Sequence, residues 1–403
     1  MPMTTIPSQH QHYALVTETW RPQINGVANT LGRLFDGLLQ NNNRIQLVRP
    51  AQSGEATGLI DHGLAQEVLV RGMPIPGYPQ LQFGLPATRR LKAHWQNNRP
   101  DAIYLATEGP LGWSALRAAR QLGIPIVSGF HTNFQQYSEC YGLGLFYRPA
   151  VAWLRWFHNQ SVLTLAASSS QQRELSRMGI TNLMLLGRGV DCELFHPARR
   201  DQILRTNWGV GEQDLVLLHV GRLAAEKNLQ LLKRSWTALR DMPGYEGRLR
   251  MVVIGDGPLR ETLERDMPDA IFTGALAGVE LARAYASADI FVFPSLTETF
   301  GNVVTEAMAS GLAVNAFDLA AAHQHLRDRY SGGLAPAANE EVFLSNLRWL
   351  ISDSEGRRSV RLHARHRACQ LGWPLILQRF EDYLRRASLS SRRVMGAIPS
   401  KQG

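Results

Sequence analysis

Short apolar, strand-like runs alternate with longer helix-like stretches, and they do so twice along the chain. In the first half the runs are Tyr13–Val16, Ile45–Val48, Ala102–Leu105, Ile124–Ser128 and Val162–Ala166, with helical patterns such as Val27–Leu39 and Leu111–Leu122 between them. In the second half they are Leu215–Val220, Met251–Ile254, Ala270–Phe272, Ile290–Phe293 and Leu312–Ala316, spaced by Asn228–Arg240, Val279–Ala286 and Asn302–Ser310. Strands that are apolar on both faces must be covered on both faces, and parallel neighbours need a crossover that a helix supplies. The pattern predicts an α/β chain with two Rossmann-like, doubly wound parallel sheets. A length of 403 residues suits two hydrophobic cores better than one.

Glycines and a proline cluster around Gly187-Arg188-Gly189-Val190-Asp191 and Phe195-His196-Pro197, and a polar stretch follows to Glu212. We read Gly187–Glu212 as the linker region, with domains over 1–190 and 191–373. A C-terminal helix is expected over 374–388. Residues 389–403, with Arg392, Arg393 and Lys401, read as a frayed basic tail.

Ligands of open α/β sheets bind beyond the carboxyl ends of the strands, so the segments after the runs carry the chemistry. Phe293-Pro294-Ser295-Leu296-Thr297-Glu298-Thr299-Phe300-Gly301-Asn302 runs from a strand through a tight loop into a helix. The first N–H groups of such a helix can hold a phosphate, and Gly301 lets a ligand approach the backbone. Glu298 and Glu306 stand eight residues apart. On a continuous helix that is about 12 Å, comparable to the span from ribose to sugar across a diphosphate. An arbitrary Glu pair at this spacing is more often a helix cap and a solvated residue.

His219-Val220-Gly221-Arg222-Leu223-Ala224-Ala225-Glu226-Lys227-Asn228 places Arg222 and Lys227 after a strand and before a helix, a cationic setting for a diphosphate. Ile254-Gly255-Asp256-Gly257-Pro258-Leu259-Arg260 lacks the third glycine of a dinucleotide fingerprint, which disfavours an NAD enzyme. Thr17–Val27, containing Asn25 and Gly26, and Gly129-Phe130-His131-Thr132 follow strands in the first half.

Taken together, these segments resemble the retaining glycosyltransferases of sequence family 4, which pair two Rossmann-like domains across a cleft in the GT-B fold. The 293–311 segment is similar to the family's E-x7-E signature, 221–228 to its G-R-L-x-x-E-K-N element, 255–258 to its G-x-G-P loop and 131–132 to its H-T motif. The resemblance implies that Glu298 binds donor-sugar hydroxyls and Glu306 the ribose. Arg222 and Lys227 would stabilise the leaving diphosphate, and His131 would support the transferred sugar. Asn25, Gly26, Gly221, Gly255, Leu276, Phe300, Gly301 and Asn302 would line the donor site, with the nucleobase near Phe272–Leu276. It also implies an acceptor-binding first domain, a nucleotide-sugar-binding second domain, and a C-terminal helix that packs back on the first.

Arg71–Pro79 resembles a proline-rich loop of the subset containing mannosyltransferases and glycolipid synthases. A rigid loop without a ligand is an equal reading. The family's Gly-Gly…Glu element is replaced here by Ala320-Ala321-Ala322-His323-Gln324-His325, and Asn315 stands where an apolar strand residue is usual. The expected function is transfer of a hexose from GDP-mannose or a UDP-hexose to a membrane lipid or lipid-linked glycan. No D-x-D occurs in the chain, so transfer is expected without a metal ion or other cofactor.

A net charge of +9 and a pI near 9.8 attract polyanions but do not choose among nucleic acid, phosphorylated donors and anionic membrane. Leu145–Phe157 and Leu85–Trp95 are aromatic and basic, which suits either a membrane interface or domain core. With the resemblance, the partners expected are a nucleotide sugar, a lipid or glycan acceptor and an anionic membrane surface, not nucleic acid. The three cysteines, Cys140, Cys192 and Cys369, form no C-x-x-C pair, which argues against a disulfide framework or structural zinc and fits a reducing cytosol. The polar N-terminus and the lack of about 18 consecutive apolar residues predict a cytoplasmic protein without a signal peptide or transmembrane helix, and the aromatic, basic stretches with the high pI lean towards peripheral association with the inner membrane face. A nucleotide-sugar epimerase of the same fold and a non-catalytic polyanion-binding protein are the alternatives. A phosphorylase would need a lysine placed for pyridoxal phosphate, and no segment suggests one.

Overall fold

The two sets of apolar runs become two parallel sheets in the computed structural model, which describes residues 10–21, 23, 26–52, 55, 60, 63–75, 78–131, 144–298 and 300–396. The first half supplies β1 (His12–Val16), β2 (Arg44–Pro50), β3 (Ala65–Val70), β4 (Gly72–Ile75), β5 (Tyr78–Gly84), β6 (Ala102–Leu105), β7 (Ile126–Phe130), β8 (Leu163–Ala166) and β9 (Leu183–Leu185). The second half supplies β10 (Leu215–Val220), β11 (Leu249–Ile254), β12 (Ile271–Gly274), β13 (Ile290–Phe293), β14 (Ala313–Phe317) and β15 (Gly333–Ala335).

The first sheet has the order β3-β2-β1-β6-β7-β8-β9 and the second β12-β11-β10-β13-β14-β15. Every pairing within them is parallel; Tyr13 stands opposite Ala102, and Leu217 opposite Ile290. Strand order therefore reverses between β1 and β6 in one sheet and between β10 and β13 in the other. Those reversals are the topological switch points at which such sheets hold ligands.

Burial explains the strand pattern. All six residues of β10 are buried, and Leu217, Met251, Val253, Ile290 and Val292 pack under Leu232, Trp236, Phe343 and Leu347 from the covering helices. In the first sheet Val16, Val48, Ile103 and Leu105 play the same part against Leu91, Trp95, Leu116 and Phe157.

The chain forms two compact units. One takes residues up to Ala167, Gln171–Gly187 and the segment from Pro374; the other takes Ser168–Ser170 and Arg188–Trp373. The segment read as linker is not bare connection. It holds a 3-10 turn, Pro197–Arg199, and a helix, Gln202–Asn207, capped by Asp201, whose carboxylate accepts from Leu204 N–H at 3.0 Å. Arg205 in that helix is fully buried and bonded to Asp289 on the second unit's sheet side.

The C-terminal helix, Trp373–Gly396, is longer than expected and absorbs the start of the supposed frayed tail. On the first unit Phe380 packs edge-on to Tyr104, Glu381 accepts from Asn41 and Asn43, and Tyr383 donates to the Leu185 carbonyl. Within the proline-rich segment Arg71–Pro79, Gly72–Ile75 forms β4 and Tyr78 and Pro79 open β5; the two strands pair antiparallel, with Pro74 facing Gln82, and residues 76 and 77 lie outside the described residues. β7 also starts two residues later than the apolar run suggested and continues through Phe130.

Candidate functional site

At the second switch point the loops after β10 and β13 lie side by side and are tied together. Thr297 Oγ1 donates to the Glu226 carbonyl at 2.8 Å, and Asn228 Nδ2 donates to the Pro294 carbonyl at 3.2 Å. Lys227 Nζ forms an ion pair with the Glu298 carboxylate, the two side chains being only 18% and 14% exposed. Two residues assigned to separate donor groups are thus paired with each other. Arg222 is half-exposed and only loosely engaged by Glu226 at 3.9 Å, which leaves its guanidinium largely toward solvent.

Glu298 precedes the Asn302–Ala309 helix and is not part of it, so a Glu298–Glu306 span reckoned along one continuous helix does not apply. Gly301 initiates that helix with φ 89°, in the left-handed region that favours glycine, and among the described residues no side chain caps it. A Cβ on Gly301 would lie 3.7 Å from Glu298 Cγ and 3.9 Å from Ala321 Cβ. The helix N-terminus therefore adjoins both Glu298 and the Ala320–His325 segment. Ala321 N–H donates to the Phe300 carbonyl at 2.8 Å, and the buried Phe300 ring meets His325 edge-on at 5.9 Å. Asn302 Oδ1, Gln324 Oε1 and His325 Nε2 are buried here without a hydrogen-bond partner among the described residues. Burial, reinforced by the Arg367 charge, holds His325 down to about 4, so the imidazole is neutral at physiological pH.

Glu306 lies further along the same helix and accepts a hydrogen bond from Tyr285 OH at 3.2 Å. Burial pushes its carboxyl up to about 7, with the Tyr285 bond pulling the other way.

Gly221 and Gly255 also hold the two loops together. Their N–H groups are committed to the Ile254 and Gly274 carbonyls. A Cβ on Gly255, at φ 141°, would lie 1.8 Å from the Gly221 carbonyl oxygen. These glycines bring the backbones of the two loops into contact and so shape the site from behind. Leu276 is half-buried two residues past β12.

His219, on β10, went unnoticed in the sequence reading. It is fully buried, its Nδ1 is hydrogen-bonded to the Val292 carbonyl at 3.0 Å, and its ring stacks on Phe293. Burial holds it down to about 4, with the Lys227 charge adding to the effect. A histidine inside an otherwise apolar strand next to Gly221 was the available signal.

In the first unit His131 follows β7, and its Nε2 is 2.7 Å from Tyr104 OH. Gly26 opens the Gly26–Gln40 helix, and its carbonyl accepts from Thr30 Oγ1. Asn25 lies outside the described residues. Glu18, another residue the sequence did not single out, ties the loop after β1 to β5 and to the start of the Pro110–Leu122 helix. Its Oε1 accepts from Gly84 N–H at 3.2 Å and from Leu111 N–H at 3.1 Å, and burial pushes its carboxyl up. Ser128, His158 and Glu108 form a hydrogen-bonded chain of triad-like order, but Ser128 and His158 are wholly buried and hold β7 to the Gly144–His158 helix.

Lys227, Glu298, Gly301, Phe300 and Asn302 are thus assembled in the second unit, with Glu306 behind them; His131 belongs to the first. Among the described residues no group of three His, Cys, Asp or Glu could hold a metal ion. Among them, too, no helix is long and apolar enough to cross a membrane.

Comparison with known proteins agrees with this geometry. The model described as Glycosyltransferase Family 4 matches residues 24–194, and that described as Glycosyl transferases group 1 matches residues 214–353. A GDP-mannose-dependent alpha-mannosyltransferase of Mycobacterium tuberculosis is 34% identical over 365 residues, covering 90% of this chain and 93% of that protein. Alpha-monoglucosyldiacylglycerol synthase of Streptococcus pneumoniae is 25% identical over 333 residues, covering 79% of this chain and 74% of that protein. Among solved structures, sucrose-phosphate synthase from Thermosynechococcus elongatus matches with a TM-score of 0.76 at 16% identity, over 94% of this chain and 100% of that one, a likeness of fold. With both Rossmann-like units accounted for, the chain belongs to glycosyltransferase family 4, of GT-B fold, and is a glycosyltransferase akin to the mannosyltransferases and glycolipid synthases of that family.

Proposed function

We propose that the protein transfers a hexose from GDP-mannose or a UDP-hexose to a membrane lipid or lipid-linked glycan, with retention at the anomeric carbon and without a metal ion. The observation that carries this reading is the Lys227–Glu298 pair beside the N-terminus of the Asn302–Ala309 helix at the β10/β13 switch point. An incoming diphosphate competes with Glu298 for Lys227. It draws Lys227 and Arg222 onto its oxygens and frees the Glu298 carboxylate to accept sugar hydroxyls. As the bond from anomeric carbon to phosphate oxygen breaks, negative charge grows where these cations and the helix N-terminus already stand. The acceptor oxygen bonds to the anomeric carbon, and its proton passes to the departing phosphate oxygen. No D-x-D is present to clamp a metal on the diphosphate, so Arg222 and Lys227 take that role. Glu306 serves the ribose, His131 supports the transferred sugar, and the Ala320–His325 segment shapes the sugar pocket.

GDP-mannose heads the donor panel because the Mycobacterium tuberculosis relative is named for it, and a lipid acceptor is favoured by the diacylglycerol in the Streptococcus relative's name. The first unit adds a surface for it. On the Gly144–His158 helix, Trp153 and Trp156 are 38% and 42% exposed and stack on each other at 5.3 Å, with Arg148 and Arg155 also exposed. Exposed indoles beside arginines suit the headgroup layer of an anionic membrane. Phe157 and Trp95, by contrast, are core, and Trp95 donates to Gln46.

The test is incubation with each donor and vesicles of phosphatidylglycerol and diacylglycerol, following nucleotide release and new glycolipid by mass, with and without EDTA. The reading expects matched release and glycolipid, unaffected by EDTA, with the donor's anomeric configuration kept. Donor turnover without any acceptor product supports the epimerase reading instead.

A further inference from the structure

The three cysteines stand far apart in sequence, yet the fold brings two of them together. Cys192 lies four residues past Arg188, where the chain enters the second unit, and Cys369 lies four residues before Trp373, after which it leaves. The entering and leaving segments run side by side. Val190 and Gly372 form a parallel bridge, and Val190 N–H donates to the Leu371 carbonyl at 3.0 Å. Gly189 makes room for this, since a Cβ there would lie 2.7 Å from the Trp373 ring. Next to the bridge the Cys192 and Cys369 thiols are near enough to perturb one another electrostatically. Cys369, at the end of the Ser354–Cys369 helix, is exposed, and Cys192 is half-buried.

We propose that Cys192 and Cys369 form a reversible dithiol/disulfide site, oxidised by exchange with a small-molecule disulfide, which fastens the segment entering the second unit to the helix that precedes its exit. Donor-site residues take no part. Exposure makes Cys369 the entry point, because thiol exchange follows thiolate character and access. Its thiolate attacks one sulfur of glutathione disulfide and expels a glutathione thiolate, leaving a mixed disulfide. Cys192 then gives up its proton to solvent, attacks the Cys369 sulfur and expels the second glutathione thiolate. In balance, two protein thiols are oxidised and one glutathione disulfide is reduced to two glutathiones. The order is set by the surroundings. Burial first, then the neighbouring Cys369 thiol, pushes the Cys192 thiol up to about 12. Burial keeps Cys192 slow toward a free disulfide, whereas capping Cys369 sets a disulfide sulfur directly beside it, so that Cys192 reacts within the molecule.

The experiment exposes the reduced full chain to glutathione disulfide, quenches with acid, alkylates, and maps peptides by mass. The wild type is expected to lose two alkylatable thiols together, to retain no glutathione, and to give a peptide joining Cys192 to Cys369 that dithiothreitol cleaves. Cys192→Ser should trap glutathione on Cys369. Cys369→Ser should leave Cys192 at least about tenfold slower to take up glutathione than Cys369 is in the wild type. A wild type that keeps glutathione on Cys369 with no joined peptide overturns the proposal. So does a link that runs to Cys140 or to a second molecule.

Discussion

Glu306 offers the sharpest quantitative test. Its carboxyl is raised from an ordinary value of 4.5 to about 7, chiefly by burial. An acid that holds its proton more tightly in the folded state makes folding most favourable at low pH. Stability then falls as pH rises from the unfolded value of about 4.5 and levels off above the folded value of about 7. The rise corresponds to roughly 3 kcal/mol of destabilisation, complete by about pH 8. Glu306→Gln keeps a carbonyl to accept from Tyr285 OH but does not ionise. Its stability relative to wild type should therefore grow by about 3 kcal/mol between pH 4.5 and pH 8. Urea unfolding of both proteins across that range reads the difference directly, since other titrating groups cancel. Parallel profiles refute the reasoning and mean that water or a rearranged partner solvates the carboxylate. The same ionisation bears on ligand. A ribose hydroxyl donating to Glu306 favours the charged form, so wild-type affinity for the nucleotide should rise with pH through about 7, and the variant's should not.

Other substitutions separate roles within the fold. Lys227→Ala removes the cation proposed for the leaving group and leaves a mostly buried Glu298 unpaired; kcat/KM for the donor should fall by about 100-fold or more, measured from initial rates at low donor concentration. Gly255→Ala drives a methyl into the Gly221 carbonyl and should destabilise the second unit by more than about 3 kcal/mol in urea unfolding, whereas Gly278→Ala, at φ 55° with open space around it, should cost only about 1 kcal/mol. Replacing Trp153 and Trp156 together by Ala should weaken sedimentation with anionic vesicles by about tenfold while leaving nucleotide binding unchanged.

The parts of the fold legible in sequence are those whose burial is uniform. β1, β6, β10 and β13 are apolar throughout or nearly so, and their bounds follow from that. β3 escaped because its first half is Ala-Gln-Glu, and Glu67 is accommodated by the Ile60 N–H and by a fully buried Arg49 that also holds Glu55. β9 and β15 are three residues each, too short to display a period. The residues proposed for the donor side stand out through their positions after strands and their likeness to family motifs. What no local reading could supply is who pairs with whom. Lys227 and Glu298 are separated by 71 positions, and they meet because β10 and β13 are neighbours across the switch point. His219 was hidden by an apolar strand, and the Cys192–Cys369 contact by the crossing of the chain between units.

The central claim is that the second unit holds a nucleotide sugar through the loops after β10 and β13. Saturation-transfer NMR against a panel of GDP- and UDP-sugars, run on wild type, Lys227→Ala and Glu298→Ala, tests it most directly. One donor, GDP-mannose first among the candidates, should show transfer to base, ribose and sugar protons in the wild type. Lys227→Ala should lose the whole signal, and Glu298→Ala at least the sugar part. If no nucleotide sugar binds at millimolar concentration, or if both variants bind as the wild type does, the site is not where this account puts it.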